Sequence, residues 1–359
     1  MFTLFLVILA LWAFTHFYLR GEDLSPYDLP QPAPFAEHSS ASEGHREALA
    51  SLGGITEMTA GVPRKQRLHI MRDQLDQMGD SVEFEGDIIP VDEAGMRGEW
   101  VVAPGADTTR RLLYIHGGAW MMGSPRSHRA ITTRFALLTG GAVFSLDYRL
   151  LPEFTRQQGI DDCRSAYRWI LENGPGGPES LTDLFVAGDS AGGNLALSLA
   201  AWVRDQGLRA PNGVVALSPA TDATFSSPSM VDNVDTDHML GPQFGKLNRV
   251  PRWIMLWFYL FTNRISPSEP RVSPAFGDLS ALPPTLVHAS EAEMLRDDAV
   301  RYVNKARASG SPVELQTWPY MLHVWHIFEA QMPEAREAFA EIGTFIESHR
   351  KSDLQAAAA

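Results

Sequence analysis

The apolar residues of this chain follow different patterns in its N-terminal and C-terminal parts. Residues 2–19 are almost all apolar and cover the length that a helix needs to cross a bilayer core. A polar linker follows at 21–44, and a helical pattern occupies 45–80, with a break near Gly61 and Pro63. From about Arg111 onward, short apolar runs typical of buried strands alternate with helix-like stretches. This alternation predicts a mostly parallel sheet with helices on both faces.

The individual elements follow from the same patterns. Strands are predicted at 82–91, 96–102, 111–115, 142–147, 184–188, 214–218, 284–288 and 313–318. Helices are predicted at 124–139, 161–171, 195–203, 298–308 and 334–350. The alternation stops at an insert over about 219–263, where Trp253–Phe261 is an apolar run too short to span a membrane. That run fits either a core-facing helix or part of a cap or membrane-facing wall around an acyl pocket.

The N-terminal apolar run has three possible interpretations. No charged side chain precedes it, no small-x-small cleavage site ends it, and Trp12, Phe17 and Tyr18 suit an interfacial end. We therefore expect an uncleaved, single-helix membrane anchor at 1–20. The alternatives are a signal peptide, whose removal would give a secreted or periplasmic protein, and a helix that docks on the protein's own surface. The pattern of charges after the run does not indicate on which side of the membrane the body lies.

Composition narrows the classes of function. The chain has 359 residues, 45% of them hydrophobic, and a net charge of −13 without a basic stripe, which argues against nucleic-acid binding. Its single cysteine, Cys163, excludes an intramolecular disulfide and is predicted to be buried in a helix. The aspartates of the insert lack the spacing of a calcium loop, so we expect no metal site.

The strongest candidate for chemistry is the serine that follows the strand at 184–188. Ser190 lies in the sequence Gly-Asp-Ser-Ala-Gly, between a strand-like and a helix-like pattern, which is the form of a nucleophile elbow. Such a turn is crowded, and Gly188 and Gly192 lack the Cβ that would clash. The turn predicts that Ser190 stands clear of the sheet, at the N-terminus of a helix whose N–H groups favour negative charge.

A second motif, His116-Gly117-Gly118-Ala119-Trp120, directly follows the strand at 111–115. Adjacent glycines let the backbone approach a ligand closely and point N–H groups at a developing oxyanion. The combination of this motif with a serine elbow further along the chain is more specific than either motif alone.

A serine nucleophile also needs a histidine base and a carboxylate that orients it. In the α/β-hydrolase arrangement these groups follow in the order serine, acid, histidine, each in a loop after a strand. His323 follows the last predicted strand and is the expected base; His326, one helical turn further, is the second choice. Four carboxylates follow the strand at 284–288 and are candidates for the acid: Glu291, Glu293, Asp297 and Asp298.

Several motifs together resemble the hormone-sensitive lipase family, which includes bacterial carboxylesterases and membrane-anchored arylacetamide deacetylases. They are His-Gly-Gly, Gly-Asp-Ser-Ala-Gly-Gly, Asp147-Tyr148-Arg149-Leu150 with Pro152-Glu153, and His323 with Val324-Trp325. The resemblance covers roughly Leu112 to the C-terminus. It implies an α/β-hydrolase fold with a helical cap, to which the N-terminal helices of this family usually contribute.

The resemblance also implies roles for individual residues. The family's acid opens a pattern like Asp-x-Leu-x-Asp, which here reads Glu293-Met294-Leu295-Arg296-Asp297, so we expect Glu293 as the acid, with Asp297 as the alternative. The backbone N–H groups expected to stabilise the oxyanion are those of three residues: Gly117, Gly118 and Ala191. Three further residues are expected to support the site: His116, Asp189 and Trp120.

The expected function is a serine carboxylic-ester hydrolase that acts on short-to-medium acyl esters, from small molecules or lipids, without a metal or organic cofactor. Alternatives are an amide hydrolase or acyl transferase with the same triad, and a non-catalytic binding protein on the same fold. The expected domain organisation is an anchor at 1–20, a linker at 21–44, cap helices at 45–80, a catalytic domain at 81–350 and a disordered tail at 351–359.

Overall fold

A central eight-stranded sheet organises the molecule, with strand order β1-β2-β4-β3-β7-β8-β9-β10. The computed structural model describes residues 2–30, 34–36, 40–58, 61–93 and 95–351, so nearly all of the predicted tail lies outside the described residues. The strands are β1 Asp87–Glu93, β2 Met96–Val102, β3 Arg110–Ile115, β4 Ala142–Leu146, β5 Asn173–Gly174, β6 Gly177–Pro178, β7 Asp183–Asp189, β8 Gly213–Leu217, β9 Thr285–Ser290 and β10 Val313–Trp318. Strands β5 and β6 form a separate two-residue ribbon.

Helices occupy the N-terminal part of the chain and most connections between the strands. They are α1 Phe2–Phe14, α2 Glu43–Met58, α3 Arg64–Asp80, α4 Arg129–Thr139, α5 Arg156–Ile170, α6 Ala191–Asp205, α7 Ser229–Asp232, α8 Gly241–Phe244, α9 Arg252–Asn263, α10 Arg296–Ala308 and α11 Pro333–Ser348. Helix α1 continues as a π-helical turn over Thr15–Leu19. Together these two segments, Phe2–Leu19, make one helix that is long and apolar enough to cross a membrane.

Strands β4, β3, β7, β8, β9 and β10 run parallel, while β1 and β2 are antiparallel to their neighbours. Successive residues of the parallel strands face opposite sides of the sheet, so Leu113 packs on one side and Leu112 on the other. Helices α5, α6 and α10 cover the first side, and α4 and α11 cover the second. The prediction of a mostly parallel sheet with helices on both faces is therefore confirmed.

Several predicted boundaries differ from the structure, and two of these differences have a local cause. Strand β1 begins at Asp87 rather than at Val82, because its partner β2 ends at Val102, which pairs with Asp87. Helix α5 begins at Arg156, earlier than predicted, because Thr155 and Gln158 form a capping box that satisfies the first N–H groups. Cys163 is buried in this helix, as expected, and burial raises the pKa of its thiol.

The predicted apolar run of the insert forms helix α9, but little of it faces the core. Of its residues only Leu256 is fully buried, while Trp253, Phe258 and Phe261 are exposed. The interpretation as a core-facing helix is therefore wrong for most of this run.

Candidate active site

Ser190 lies in a sharp turn between β7, which ends at Asp189, and α6, which begins at Ala191. Its backbone has a φ of 50° and a ψ of −115°, which is unusual for a residue with a side chain. A Cβ on Gly192 would lie 1.9 Å from the carbonyl oxygen of Ile115, and one on Gly188 would lie 2.5 Å from the carbonyl oxygen of Gly192. The crowding predicted for this turn is therefore present at both glycines.

Ser190, His323 and Glu293 form one hydrogen-bonded chain, although they come from three separate loops. Ser190 Oγ lies 2.9 Å from His323 Nε2, and His323 Nδ1 lies 2.7 Å from Glu293 Oε2. Because a carboxylate only accepts hydrogen bonds, Nδ1 carries the proton and Nε2 is left to accept one from Ser190. The histidine is thus in the tautomer that a general base requires.

The carboxylate of Glu293 is fully buried and held at both of its oxygens. Oε2 accepts the hydrogen bond from His323, and Oε1 accepts the backbone N–H of Ser290 at 2.8 Å. Burial alone would lower the pKa of His323, but the hydrogen bond and charge of Glu293 outweigh it and hold this pKa above 6.5.

The two alternative residues from the sequence lie elsewhere. Asp297 Oδ2 accepts the backbone N–H of Ser229, and Oδ1 pairs with Arg296. His326 Nε2 contacts His288 Nδ1 at 3.1 Å, and burial together with His288 moves the pKa of His326 well below its ordinary value. Neither residue belongs to the chain of hydrogen bonds that ends at Ser190.

The turn after β3 lies beside the serine elbow. Gly118 has a φ of +105°, and a Cβ there would lie 2.3 Å from the carbonyl oxygen of Met122, so only glycine fits. Trp120 follows the glycines and donates its indole N–H to the carbonyl oxygen of Ala191 at 3.2 Å. This bond connects the turn directly to the first residue of α6.

The expected role of Gly117 as an oxyanion donor is not supported by the geometry. Its N–H is donated to Asp189 Oδ1 at 2.9 Å, so this group is already engaged. Within the described part of the chain, the N–H groups of Gly118 and Ala119 have no protein acceptor, and Ala191 is the first residue of α6, where an N–H has no intrahelical partner. In this turn the unengaged N–H groups are therefore those of Gly118 and Ala119, one residue further along than expected.

His116 and Asp189 hold the turn after β3 in place through hydrogen bonds to Gly117. His116 Nδ1 donates to the carbonyl oxygen of Gly117 at 2.8 Å, and its own carbonyl accepts the hydroxyl of Tyr148. Burial lowers the pKa of His116 to about 3, so the ring stays neutral. Tyr148 belongs to the Asp-Tyr-Arg-Leu motif, and this contact gives that motif a structural role next to the site.

A second buried histidine–carboxylate pair lies under the turn. Asp189 Oδ2 lies 3.4 Å from His128 Nε2, while Oδ1 accepts hydrogen bonds from the hydroxyl of Tyr114 and from the N–H of Gly117. Burial raises the pKa of Asp189, but these partners outweigh it and the pKa is lowered. Burial likewise lowers the pKa of His128, yet Asp189 leaves it raised above 6.5.

Three polar residues near the site were not identified from the sequence. Asn233 donates its amide to the carbonyl oxygen of Glu293 at 2.9 Å, and Asp237 accepts the N–H of Met294 at 2.8 Å, so the insert holds the loop of the acid. Arg156 is buried, stacks on the Trp120 ring at 3.9 Å and lies 3.3 Å from Asn194 Oδ1. No motif singles these residues out, because their partners are distant along the chain.

The two helices before the sheet flank the site. Arg72 of α3 donates to the carbonyl oxygen of Met121 at 2.8 Å and forms a bidentate pair with Glu153. Ala48 of α2 packs in the same apolar cluster as Leu322, which precedes His323. Among the residues that the structure describes, no group of three or more His, Cys, Asp or Glu side chains could hold a metal ion.

Comparisons with known proteins agree with this arrangement. Residues 112–327 match the family model described as alpha/beta hydrolase fold. An acetyl-hydrolase of Streptomyces hygroscopicus is 35% identical over 73% of this chain and 82% of its own length. An esterase of Acinetobacter venetianus is 36% identical over the same shares of the two chains, 73% and 82%.

Solved structures give the same result. The crystal structure of an esterase from the bacterial hormone-sensitive lipase family has a TM-score of 0.73 and 32% identity, and the match covers 86% of this chain and 99% of that one. The expected resemblance is confirmed, as is the expectation of an ester-hydrolysing enzyme. The chain belongs to the α/β-hydrolase family, among the esterases that resemble hormone-sensitive lipase.

Proposed function

We propose that this esterase is a serine carboxylic-ester hydrolase that works through an acyl-enzyme on Ser190. The observation that carries the proposal is the unbroken chain of hydrogen bonds from Ser190 Oγ through His323 to Glu293. A serine hydroxyl is a poor nucleophile unless a base takes its proton, and His323 Nε2 lies beside Ser190 Oγ and is unprotonated, as that task requires.

Each step of the proposed ester hydrolysis can be assigned to particular residues. His323 Nε2 takes the Ser190 proton as Oγ attacks the ester carbonyl carbon, and Glu293 stabilises the imidazolium that forms. The N–H groups of Gly118, Ala119 and Ala191 stabilise the tetrahedral oxyanion. The imidazolium protonates the departing alcohol, and a water molecule, activated by His323, then hydrolyses the acyl-enzyme.

We further infer a substrate with a short-to-medium acyl chain. The name of one relative, an acetyl-hydrolase, supports the short end of this range. Helices α2 and α3 act as the cap that encloses the acyl chain, since they pack beside the loops that carry His323 and the oxyanion turn. An amide substrate would use the same acyl-enzyme step and is separated from an ester by direct comparison of the two.

The N-terminal helix Phe2–Leu19 is assigned as an uncleaved membrane anchor, with 21–44 as the linker to the catalytic body. Its length, its hydropathy and the near absence of buried residues support this assignment. The rival is a cleaved signal peptide. The intact mass of the protein from the membrane fraction of an expressing bacterium separates the two: the anchor retains residues 2–19, and a signal peptide loses them.

The catalytic proposal is tested with p-nitrophenyl esters from acetyl to palmitoyl, and with acyl anilides for comparison. Replacing Ser190 by Ala should lower kcat by about 10⁶-fold, as for other triad serines. Ser198→Ala on the same helix is the matched control and should retain activity, because Ser198 makes only one long hydrogen bond, of 3.4 Å, to Pro270.

Labelling with a fluorophosphonate gives a second readout. The wild-type chain and Ser198→Ala should be labelled once, and Ser190→Ala should not. Full hydrolysis by Ser190→Ala would overturn the proposed nucleophile, and faster turnover of anilides than of esters would replace the ester substrate by an amide.

A further inference from the structure

Helix α9 presents a continuous apolar face to the outside of the molecule. Trp253, Phe258 and Phe261 are 54%, 68% and 72% exposed, and Ile254 is exposed beside them. These residues and Trp257 are spaced by four along the helix in two adjoining rows, so they share one side. Exposed aromatic patches of this kind mark a surface that binds a partner or a membrane.

This face adjoins the N-terminal helix. The indole N–H of Trp257 donates to Thr15 Oγ1 at 2.9 Å, and the Trp257 ring lies 5.4 Å from that of Phe14. An apolar groove of about 590 Å³ between the two helices is lined by Ile8, Trp12, Trp253 and Phe261, among others. The apolar surfaces of α9 and of the proposed anchor are therefore continuous.

The charge around α9 differs from that of the rest of the chain. The whole chain has a net charge of −13, but the segment 238–268 contains no Asp or Glu. It contains four basic residues: Lys246, Arg249, Arg252 and Arg264. Arg252 donates to the carbonyl oxygen of Thr224, whereas the other three are exposed: Lys246 and Arg249 precede α9 in the chain, and Arg264 directly follows it. Apolar aromatic side chains flanked by cations are typical of helices that lie in an anionic membrane surface.

We propose that α9 is a second membrane contact, which lies in the headgroup region of an anionic bilayer beside the point where the N-terminal helix enters it. The inference rests on the proposed anchor and adds a docked orientation of the catalytic body. The continuity of the two apolar surfaces places lipid against α9, and its cations match anionic headgroups. A second copy of the chain fits less well, because a symmetric contact through this face would bring Lys246, Arg249 and Arg264 close to their own counterparts.

The single buried cysteine of the chain makes a site-specific test possible. A Phe258→Cys variant of the full chain is labelled with an environment-sensitive fluorophore and reconstituted into phosphatidylcholine vesicles, with or without phosphatidylglycerol. Leu137→Cys is the matched control, since Leu137 is 48% exposed on α4, which covers the opposite side of the sheet. A third label at Leu4 reports on the N-terminal helix itself.

We expect the emission of the label at residue 258 to shift to shorter wavelength and to be quenched by lipid-attached nitroxides. Both effects should be stronger in anionic vesicles. The label at residue 137 should stay in water. The triple variant Lys246→Gln/Arg249→Gln/Arg264→Gln should lower the docked-to-undocked ratio by about fivefold per charge. The triple variant Arg46→Gln/Arg307→Gln/Lys351→Gln, which removes exposed cations elsewhere, should leave it unchanged.

The outcomes separate this inference from the proposed anchor. A quenched label at residue 4 together with a water-exposed label at 258 overturns the docking of α9 and leaves the anchor intact. Protein that does not float with vesicles overturns both. A blue shift at 258 that occurs without vesicles and disappears on dilution assigns the face to a second copy, and so overturns the inference.

Discussion

The molecule contains two buried histidine–carboxylate pairs on either side of the serine elbow, and they differ in what the second histidine nitrogen contacts. His323 bonds to Glu293 through Nδ1 and to Ser190 Oγ through Nε2. His128 faces Asp189 through Nε2, and its Nδ1 contacts Ser127 Oγ and the carbonyl oxygen of Ser124. In both pairs the carboxylate holds the pKa of the histidine above 6.5.

A raised pKa and a carboxylate partner therefore do not by themselves make a histidine a catalytic base. The first pair ends at Ser190 Oγ, and the other oxygen of its acid accepts the backbone N–H of Ser290. The second pair ends at backbone and side-chain atoms of the loop Ser124–His128, and its acid is shared with Gly117 and Tyr114. In the proposed mechanism the first pair therefore transfers protons, whereas the second holds the turn after β3 in place.

Of the variants that separate the roles of the two pairs, Glu293→Gln should lose the most activity. Ser290 N–H would keep the amide oxygen of Gln in the place of Oε1, so the amide NH₂ would face His323 Nδ1. The imidazole would then carry its proton on Nε2 and could not accept one from Ser190. We expect kcat to fall by about 10⁴-fold, the loss known for the wrong tautomer in a serine triad, measured with a p-nitrophenyl ester.

Asp297→Asn is the control for this experiment, because Asp297 follows the same strand but bonds to Ser229 and Arg296. It should keep most of the wild-type kcat. A Glu293→Gln variant with full activity, or an inactive Asp297→Asn variant with a native fold, would show that the acid is assigned incorrectly.

A smaller loss is expected from Asp189→Asn. The Asn oxygen can still accept from Gly117 and Tyr114, and neutral His128 can accept a hydrogen bond from the new amide, so the turn is loosened and not lost. We expect kcat to fall by about 10- to 10²-fold, less than the 10²–10³ for removal of an oxyanion donor. A loss as large as that of Glu293→Gln would mean that the second pair takes part in proton transfer.

The parts of this candidate site that the sequence predicts are those that come shortly after the ends of strands in the chain. The sequence of the turn shows directly where Gly188, Ser190 and Gly192 stand. The acid and the base are expected in loops that follow strands, which limits each of them to a few candidate residues. The sheet and its helices followed from the alternation of patterns for the same reason. Each of these features depends on residues close together in the chain.

What the sequence did not indicate depends on contacts between distant segments. The family resemblance implies Gly117 as an oxyanion donor, because the motif does not show that Asp189 engages its N–H. Asn233 and Asp237 hold the loop of Glu293 from within the irregular insert, where no periodic pattern exists. The exposure of α9 likewise depends on how the insert packs, which an apolar run cannot specify.

The pH dependence of activity also distinguishes the roles of His323 and His128. His323 must be neutral to accept the Ser190 proton, so kcat/KM should fall as pH decreases through its raised pKa, with a midpoint above 6.5. In Glu293→Gln the carboxylate that raises the pKa of His323 is absent, while the burial that lowers this pKa remains. The pH profile of the residual activity should therefore have a lower midpoint. In His128→Gln the midpoint should not move. A midpoint that moves in His128→Gln but not in Glu293→Gln would contradict the separate roles assigned to the two pairs.

A third buried pair, His288 and His326, has no carboxylate partner and should affect only the pH dependence of stability. Burial lowers the pKa of His288 to about 3 and lowers that of His326 as well, so both rings are neutral in the folded state. Below pH 6.5 the unfolded chain binds protons that the folded chain does not, and the free energy of unfolding should fall by up to about 1.4 kcal/mol per pH unit for each histidine.

The double variant His288→Leu/His326→Leu tests this contribution, because it removes both partners and leaves no polar group of the pair unsatisfied. Urea unfolding between pH 7.5 and 5 should show a weaker loss of stability towards low pH in this variant than in the wild type, while His69→Gln on the exposed surface of α3 is the control. Equal slopes in all three proteins would mean that the pair is protonated in the folded state. A carboxylate partner would then not be what distinguishes the histidines with a raised pKa from those with a lowered pKa.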